Sequence, residues 1–217
     1  MKNIILIAAP AAGKGTQAKM LKEKYNYAHI SAGDLLRDAA KVNDETGNYI
    51  NKQLKDGKLV SEEIMFDILK KRITQADCKN GYILDGFPRT LEQAEYYEEL
   101  IKTLNYDLGL VIFIDVLKSE LERRIVGRRI CEECGFIYNI NFEDQKPSND
   151  NLCDKCGGKL YQRSDDNKDS FETRYQTYLN MTKPLIDYYE NIGVLHKING
   201  GINKETTFNS ITTIINK

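Results

Sequence analysis

The chain has 217 residues, of which 41% are hydrophobic and 29% charged, as in ordinary globular domains. Its 31 basic and 32 acidic residues leave a net charge of −1, so the overall charge does not argue for a nucleic-acid or membrane partner. No apolar run approaches the roughly 18 residues of a membrane span. We therefore expect one domain with insertions, without a nucleic-acid or membrane partner.

The first predicted element is a strand that leads into a phosphate-binding turn. The apolar run Ile4–Ala9 is followed by the small-residue loop Pro10–Thr16, and a polar helix is predicted from about Gln17. Loop N–H groups and a helix dipole favour an anion, and Lys14 adds a positive charge. An ordinary alanine-rich turn is the alternative. A secretory signal is disfavoured, because six apolar residues are fewer than the ~7–15 of its hydrophobic region.

This loop departs from the usual P-loop pattern at several positions. Ala8 stands where the pattern has glycine, and Ala11 and Ala12 fill positions where glycine permits positive φ. Thr16 lies one residue beyond its usual place. A non-glycine residue in a left-handed conformation costs roughly 1–2 kcal/mol, so we expect a stiffer or displaced loop.

Further β-rich segments alternate with helix-periodic ones along the chain. The predicted helices include Ser61–Gln75 and Leu91–Leu104, and the predicted strands are His29–Ser31, Tyr82–Asp85, Leu110–Val116 and Val194–Ile198. Alternation of this kind predicts an α/β fold with a parallel sheet covered by helices on both faces. Ligands of such sheets bind beyond the carboxyl ends of the strands.

Polar residues follow two of these strands. Asp85 suits a carboxylate that holds water on Mg²⁺, although a helix-capping or turn aspartate is the alternative. Arg37 and Arg89 can each bind phosphate through two hydrogen bonds, whereas single arginines are usually solvated. Gln93 lies one turn into the next helix, where a solvent-facing residue is the simpler interpretation.

An arginine-rich segment follows the fourth strand. Four arginines occur in the seven residues Arg123–Arg129, and Arg163 and Arg174 come later. A solvated helix face and a nucleic-acid patch are alternatives. The near-neutral surroundings favour arginines that converge on a polyphosphate during phosphoryl transfer.

Four cysteines form two Cys-x-x-Cys pairs: Cys131, Cys134, Cys153 and Cys156. The spacing predicts a closed, structural Zn²⁺ site, with iron still open. Disulfides and a redox pair are disfavoured, and Cys78 is expected to be an ordinary residue. Because the intervening segment is polar, zinc would replace a core there. Arg128 and Arg163 flank the cysteine-containing segment, which suggests a flap that closes over a phosphate site. Asp165 and Asp166 lie at the second hinge of this flap; a capping or turn pair before the next helix is the alternative.

These motifs together resemble the long-form, zinc-containing adenylate kinases of bacteria, and the resemblance spans the chain. It rests on Gly13–Ala18, Ser31–Arg37, Asp85–Gln93 and Gly127–Arg129, with Arg163, Asp165, Asp166 and Arg174. It implies a P-loop NTPase-like five-stranded parallel sheet, an NMP-binding helical insertion at 31–60 and a zinc-stapled lid at 127–164. The core would comprise 1–30, 61–126 and 165–217.

The resemblance also implies an activity and its residues. ATP·Mg would transfer its γ-phosphoryl group to AMP, giving two ADP, in a cytoplasmic monomer. The transfer would depend on Lys14, Asp85, Arg89, Arg124, Arg128, Arg163 and Arg174. ATP would be held by Ala11, Ala12, Gly13, Lys14, Gly15, Thr16, Arg128, Ile137, Tyr138 and Ile202. AMP would be held by Ala32, Arg37, Lys58, Leu59, Val60, Gly86, Phe87, Pro88, Arg89, Gln93, Arg163 and Arg174.

Two departures from the family pattern leave alternatives open. Ala8 and Ala11 replace glycines, which predicts weaker ATP binding and leaves a non-catalytic nucleotide-binding protein as an alternative. Ala32 replaces a threonine near the acceptor base and matches uridylate–cytidylate kinases, so UMP and CMP stay open as acceptors. A zinc-ribbon nucleic-acid binder is disfavoured by the net charge.

Overall fold

The computed structural model describes residues 3–201 and 203–217. Its centre is a parallel sheet of five strands: β1 (Ile4–Ala8), β2 (Ala28–Ser31), β3 (Tyr82–Asp85), β4 (Leu110–Asp115) and β8 (Leu195–Asn199). Their spatial order is β2-β3-β1-β4-β8. Every residue of β1 is buried, as expected for a central parallel strand covered on both faces.

The helices that cover the sheet mostly begin at a polar capping residue. The side chains of Ser31, Thr90 and Asn203 each accept a hydrogen bond from a backbone N–H three residues later, which satisfies a free donor of the first turn. The helices are α1 (Lys14–Tyr25), α2 (Ala32–Ala39), α3 (Glu45–Lys55), α4 (Glu62–Ile73), α5 (Leu91–Thr103), α6 (Lys118–Gly127), α7 (Lys168–Thr177), α8 (Lys183–Asn191) and α9 (Lys204–Ile215).

A second, small sheet stands between α6 and α7. It consists of β5 (Arg128–Cys131), β6 (Ile137–Asn139) and β7 (Leu160–Tyr161), all antiparallel, in the order β6-β5-β7. Only Cys131, Tyr138 and Cys153 are buried in its own cluster, with Phe136 and Leu160 packed against them. Such a small cluster needs additional stabilisation, which a bound metal supplies in small domains.

The predicted fold class is confirmed, with shifts at the element ends. The strands β2, β4 and β8 differ from the predicted segments by one residue at their ends, and the two predicted helices are shorter because Ser61 and Thr74 cap α4 and Leu104 caps α5. The prediction for α1 was wrong: the helix begins at Lys14, not near Gln17, because Lys14–Thr16 form its first turn. The division into core, insertion and lid stays a prediction.

No helix within residues 3–201 and 203–217 combines the length and the apolar character needed to cross a bilayer.

Candidate active site

The loop between β1 and α1 contains two residues in the left-handed conformation. Ala11 has φ of 66° and Gly13 has φ of 93°. The expectation that alanine occupies a glycine-favoured position is thus confirmed for Ala11. It was wrong for Ala12, which has no positive φ, and Ala8 is an ordinary buried residue at the end of β1. The strain of this loop is therefore confined to Ala11.

Lys14 is the charged residue at the centre of the loop. Its Nζ donates hydrogen bonds to the carbonyl oxygens of Ala8, at 2.9 Å, and Ala9, at 3.3 Å. Burial lowers the pKa of Lys14 to about 8; Asp85 opposes the shift, and nearby arginines reinforce it. An anion bound beside Lys14 would stabilise the protonated form, so the loop is suited to phosphate.

Asp85 lies at the carboxyl end of β3, next to the loop. His29 Nε2 is 3.4 Å from Asp85 Oδ2, and a Cβ added at Gly15 would meet that oxygen at 3.4 Å. Burial alone would raise the pKa of Asp85, but the hydrogen bond from His29 and the charge of Lys14 outweigh it and lower the pKa. A carboxylate at this position can hold the water shell of a Mg²⁺ ion that accompanies a nucleotide.

The positive charges of three arginines help to lower the pKa of Lys14: Arg89, Arg128 and Arg174. Arg89 Nε donates to the Gly86 carbonyl at 2.8 Å, and Arg174 donates to Asp165 at 3.0 Å. Burial lowers the pKa of Arg89 and lowers that of Arg174 to about 10. Partly buried positive charges that share one cleft favour a polyanion between them.

Arg128 forms a two-point ion pair with Asp166. Its Nε lies 2.7 Å from Asp166 Oδ2, and its second nitrogen contacts Oδ1. Burial acts to lower the pKa of Arg128, but the bonds to Asp166 outweigh it and raise the pKa. Asp165 and Asp166 are thus partners of the two active-site arginines rather than caps: α7 is capped by Asn167.

Asp34 connects two further arginines. Its Oδ1 accepts from Arg37 at 2.8 Å and from Arg163 at 2.9 Å. The Nε of Arg163 is buried and has no hydrogen-bond partner, and burial lowers the pKa of its guanidinium. A buried donor without a partner is costly, so Arg163 can bind an anionic ligand in addition to the Asp34 carboxylate.

Gln93 faces inward, so the solvent-facing interpretation was wrong. Its side chain is buried; Oε1 accepts from the backbone N–H of Arg89 at 2.7 Å, and Nε2 donates to Glu62 at 2.7 Å. The amide oxygen therefore faces a group that only donates, and the amide nitrogen faces a group that only accepts.

The four predicted metal ligands lie together. Their Sγ atoms are all within 4.8 Å of one another, with Cys131 and Cys156 3.5 Å apart and Cys134 and Cys153 3.6 Å apart. A tetrahedral ion with bonds of about 2.3 Å to sulfur has sulfur–sulfur edges of about 3.8 Å, whereas a disulfide bond is about 2.05 Å. The donor set and its spacing fit a metal ion. Cys78 is buried against Arg72 as an ordinary residue.

One cleft of about 1050 Å³ opens between the loop, α2 and the small sheet. Most of the charged residues described above line this cleft: Lys14, His29, Asp34, Asp85, Asp165 and the five arginines Arg37, Arg89, Arg128, Arg163 and Arg174. Ala32 and Lys58–Val60 are also in its wall, as are Arg124, Ile137 and Tyr138. One cleft thus joins the predicted donor and acceptor residues.

Comparison with known proteins decides the family. The model of the family described as adenylate kinase matches residues 6–194. The chain belongs to the adenylate kinase family.

The relatives support the same assignment over the full length. The chain is 44% identical over 215 residues to an adenylate kinase of Archaeoglobus fulgidus, covering 99% of this chain and 98% of the relative. It is 44% identical over 213 residues to an adenylate kinase of Bacillus cytotoxicus, covering 98% of each. The predicted phosphotransferase activity, from ATP to AMP with ADP as product, is confirmed, and the non-catalytic and pyrimidine alternatives are not favoured.

Some residues implied by the resemblance lie elsewhere in this adenylate kinase. Phe87 is buried in the core and packs edge-on against Tyr97, with 6.3 Å between the ring centroids. Neither Phe87 nor Pro88 lines the main cleft. Arg124 does line the cleft, and it donates to Glu120 and to the Gly200 carbonyl, the latter at 3.2 Å. Ile202 lies outside the described residues.

Several residues that this geometry makes important to the cleft were not predicted from the sequence: Asp34, Glu62 and His29. Asp34 lies within the motif that follows β2, so its position was the available signal. Glu62 and His29 contribute through hydrogen bonds to Gln93 and Asp85, and no sequence pattern marks such partners.

Proposed function

We propose that this adenylate kinase carries out the reversible transfer in the cleft, with ATP on the P-loop side and AMP on the α2 side. The presence of Lys14, Arg89, Arg128 and Arg174 in the wall of one cleft carries this proposal. Phosphoryl transfer makes few covalent demands on a protein, and charge stabilisation and positioning supply the rate.

The donor site would be formed by the P-loop and the lid. Backbone N–H groups of residues 11–16 and the N-terminus of α1 would bind the ATP phosphates, with Lys14 and Arg128 adding charge. Ile137 and Tyr138 would contact the adenine from the lid side of the cleft. We propose that Arg124, which lines the cleft and donates to the Gly200 carbonyl, joins the transfer site.

The acceptor site would be formed by α2 and the ends of β2 and β3. The AMP phosphate would bind Arg37, Arg89 and Arg163, and Arg174 would lie between the two nucleotides. The base would lie near Ala32, Lys58–Val60 and Gln93, all of which line the cleft.

In the transfer, a phosphate oxygen of AMP attacks the γ-phosphorus of ATP, and the bond to the β,γ-bridging oxygen breaks. ADP leaves and a second ADP forms, and the guanidinium groups neutralise the charge on the moving group. A Mg²⁺ ion would supply further charge neutralisation on the ATP phosphates, held through water by Asp85, whose lowered pKa keeps it ionised.

The insertion 31–60 and the lid 127–164 would close over the two nucleotides. The contact of Arg163 with Asp34 supports this, because it joins the end of the lid to the first helix of the insertion. Zn²⁺ would be the structural metal of the four-cysteine cluster, since four thiolates leave no open position.

We also propose a cytoplasmic monomer. The predicted donor, acceptor and metal-binding residues that the structure describes all come from one chain, and five free cysteines suit a reducing compartment.

A coupled assay for ADP formation tests the proposal, with ATP·Mg²⁺ and AMP, and with UMP and CMP in parallel. We expect turnover with AMP and its loss by several orders of magnitude in Arg128→Ala, with the exposed Arg123→Ala as control. Turnover restricted to UMP or CMP, or an unimpaired Arg128→Ala enzyme, would overturn it.

A further inference from the structure

Glu62 is the first residue of α4 and lies next to the N-terminus of α5. One carboxylate oxygen accepts from the Thr90 hydroxyl at 3.3 Å, and the other accepts from Gln93 Nε2 at 2.7 Å. The Thr90 hydroxyl in turn accepts from the Gln93 backbone N–H at 3.1 Å, so its single hydrogen is directed at Glu62. A negative charge between two helix N-termini is favourably placed.

The partners of Gln93 determine which way its side-chain amide points. A carboxylate only accepts hydrogen bonds, so Glu62 must face the NH₂ group. The backbone N–H of Arg89 only donates, so it must face Oε1, from which it is 2.7 Å away. The reversed amide would set oxygen against oxygen and N–H against N–H.

This arrangement leaves Gln93 with one N–H and one lone pair for a ligand, in a fixed order. Gln93 lines the cleft on the proposed acceptor side, although its side chain is otherwise buried. A base can pair with both groups only if its own donor and acceptor stand in the complementary order. Adenine and cytosine each present an amino donor beside a ring-nitrogen acceptor, whereas hypoxanthine and uracil present a carbonyl acceptor beside an N–H donor.

We infer that Glu62 is a positioning residue that locks the amide of Gln93 in the order that accepts amino-substituted bases and rejects oxo-substituted ones. The inference rests on the proposed acceptor site and extends it. Glu62 does not itself line the cleft, so it acts through Gln93. Of the two pyrimidine acceptors that Ala32 left open, the lock disfavours UMP by the same order of groups but does not separate CMP from AMP.

The test compares acceptors that differ only in this order. IMP has the size of AMP with the donor and acceptor exchanged, and UMP stands in the same relation to CMP. Steady-state kcat and KM are measured for both pairs at saturating ATP·Mg²⁺, in the wild type, Glu62→Gln and Glu63→Gln. Glu63 is the matched control because it loses the same charge in the same helical turn but is exposed.

We expect the wild type to favour AMP over IMP in kcat/KM by about tenfold or more, as for a two-point amide–base contact. In Glu62→Gln the new amide offers either a donor or an acceptor, so it no longer fixes the orientation of Gln93. The AMP-to-IMP ratio should then fall at least fivefold, chiefly through the KM values of the two acceptors. Glu63→Gln should keep the ratio within twofold.

An unchanged AMP-to-IMP ratio in Glu62→Gln, with Gln93→Leu abolishing the preference, would overturn the lock while leaving the acceptor site intact. A wild type without preference, or one that forms no ADP from ATP and AMP, would overturn the acceptor site and the lock together. If Glu62→Gln does not fold, Glu62→Asp is measured in the same way, because its shorter carboxylate draws back from Gln93.

Discussion

Arg128 and Asp166 form a two-point ion pair across the base of the lid. Arg128 begins β5, and Asp166 follows the return of the chain from β7, so the pair joins the segments that enter and leave the small sheet. The Asp166 side chain is 0% exposed. This pair therefore orients an arginine of the proposed transfer site and joins the two ends of the proposed lid.

Removal of Asp166 leaves Arg128 buried without its partner. Breaking a buried pair in this way costs about 3–5 kcal/mol, so Asp166→Ala should lower the free energy of unfolding by roughly that amount. Urea denaturation measures the loss, and Asp169→Ala, in the exposed first turn of α7, is the control and should cost far less. Equal losses in the two variants would contradict a structural role for the pair.

Ala11 holds the strain of the P-loop. Glycine has no Cβ to clash at the φ of 66°, so Ala11→Gly should raise the free energy of unfolding by about 1 kcal/mol. Ala12→Gly is the matched control, since Ala12 has no positive φ and glycine there only adds flexibility to the unfolded chain. Urea denaturation measures the free energy of unfolding of both variants, and equal values for Ala11→Gly and the wild type would refute the strain.

The lowered pKa of Lys14 predicts how ATP affinity depends on pH. In the free enzyme burial lowers this pKa to about 8, and bound polyphosphate raises it by favouring the charged form. Binding therefore takes up a proton above about pH 8, so affinity is full below that pH and falls as the pH rises through it.

Calorimetry in two buffers of different ionisation enthalpy checks this, because proton uptake makes the observed heat depend on the buffer. The measurement at about pH 9, compared with about pH 7, should show net uptake only at the higher value. An affinity that stays constant from about pH 7 to 9.5 would show that Lys14 is protonated throughout.

The four-cysteine cluster predicts one metal ion per chain. Cys156→Ser should lower the metal content and the thermal midpoint, because the small sheet has only a minor apolar cluster of its own. Cys78→Ser should keep the metal, since Cys78 is not part of the four-cysteine cluster and contacts Arg72 instead. Elemental analysis distinguishes zinc from iron; a full metal content in Cys156→Ser would exclude Cys156 as a ligand.

Local patterns in the sequence predicted much of this enzyme. The apolar strands, the P-loop before α1 and the two Cys-x-x-Cys pairs all follow from residues close together in the chain, where periodicity and spacing reflect local geometry. The helix start at Lys14 was missed because phosphate-binding turns and first helical turns share the same residues.

The tertiary structure alone decided which polar groups meet. Asp34 bonds to Arg163, which is 129 positions away, and Glu62 bonds to Gln93 across 31 positions. Hydrogen bonds of this kind depend on how helices and loops pack around the sheet, and composition and periodicity do not encode that packing. The sequence by itself thus determined the fold class and the activity, while long-range packing decided which partners the arginines of the cleft and the amide of Gln93 have.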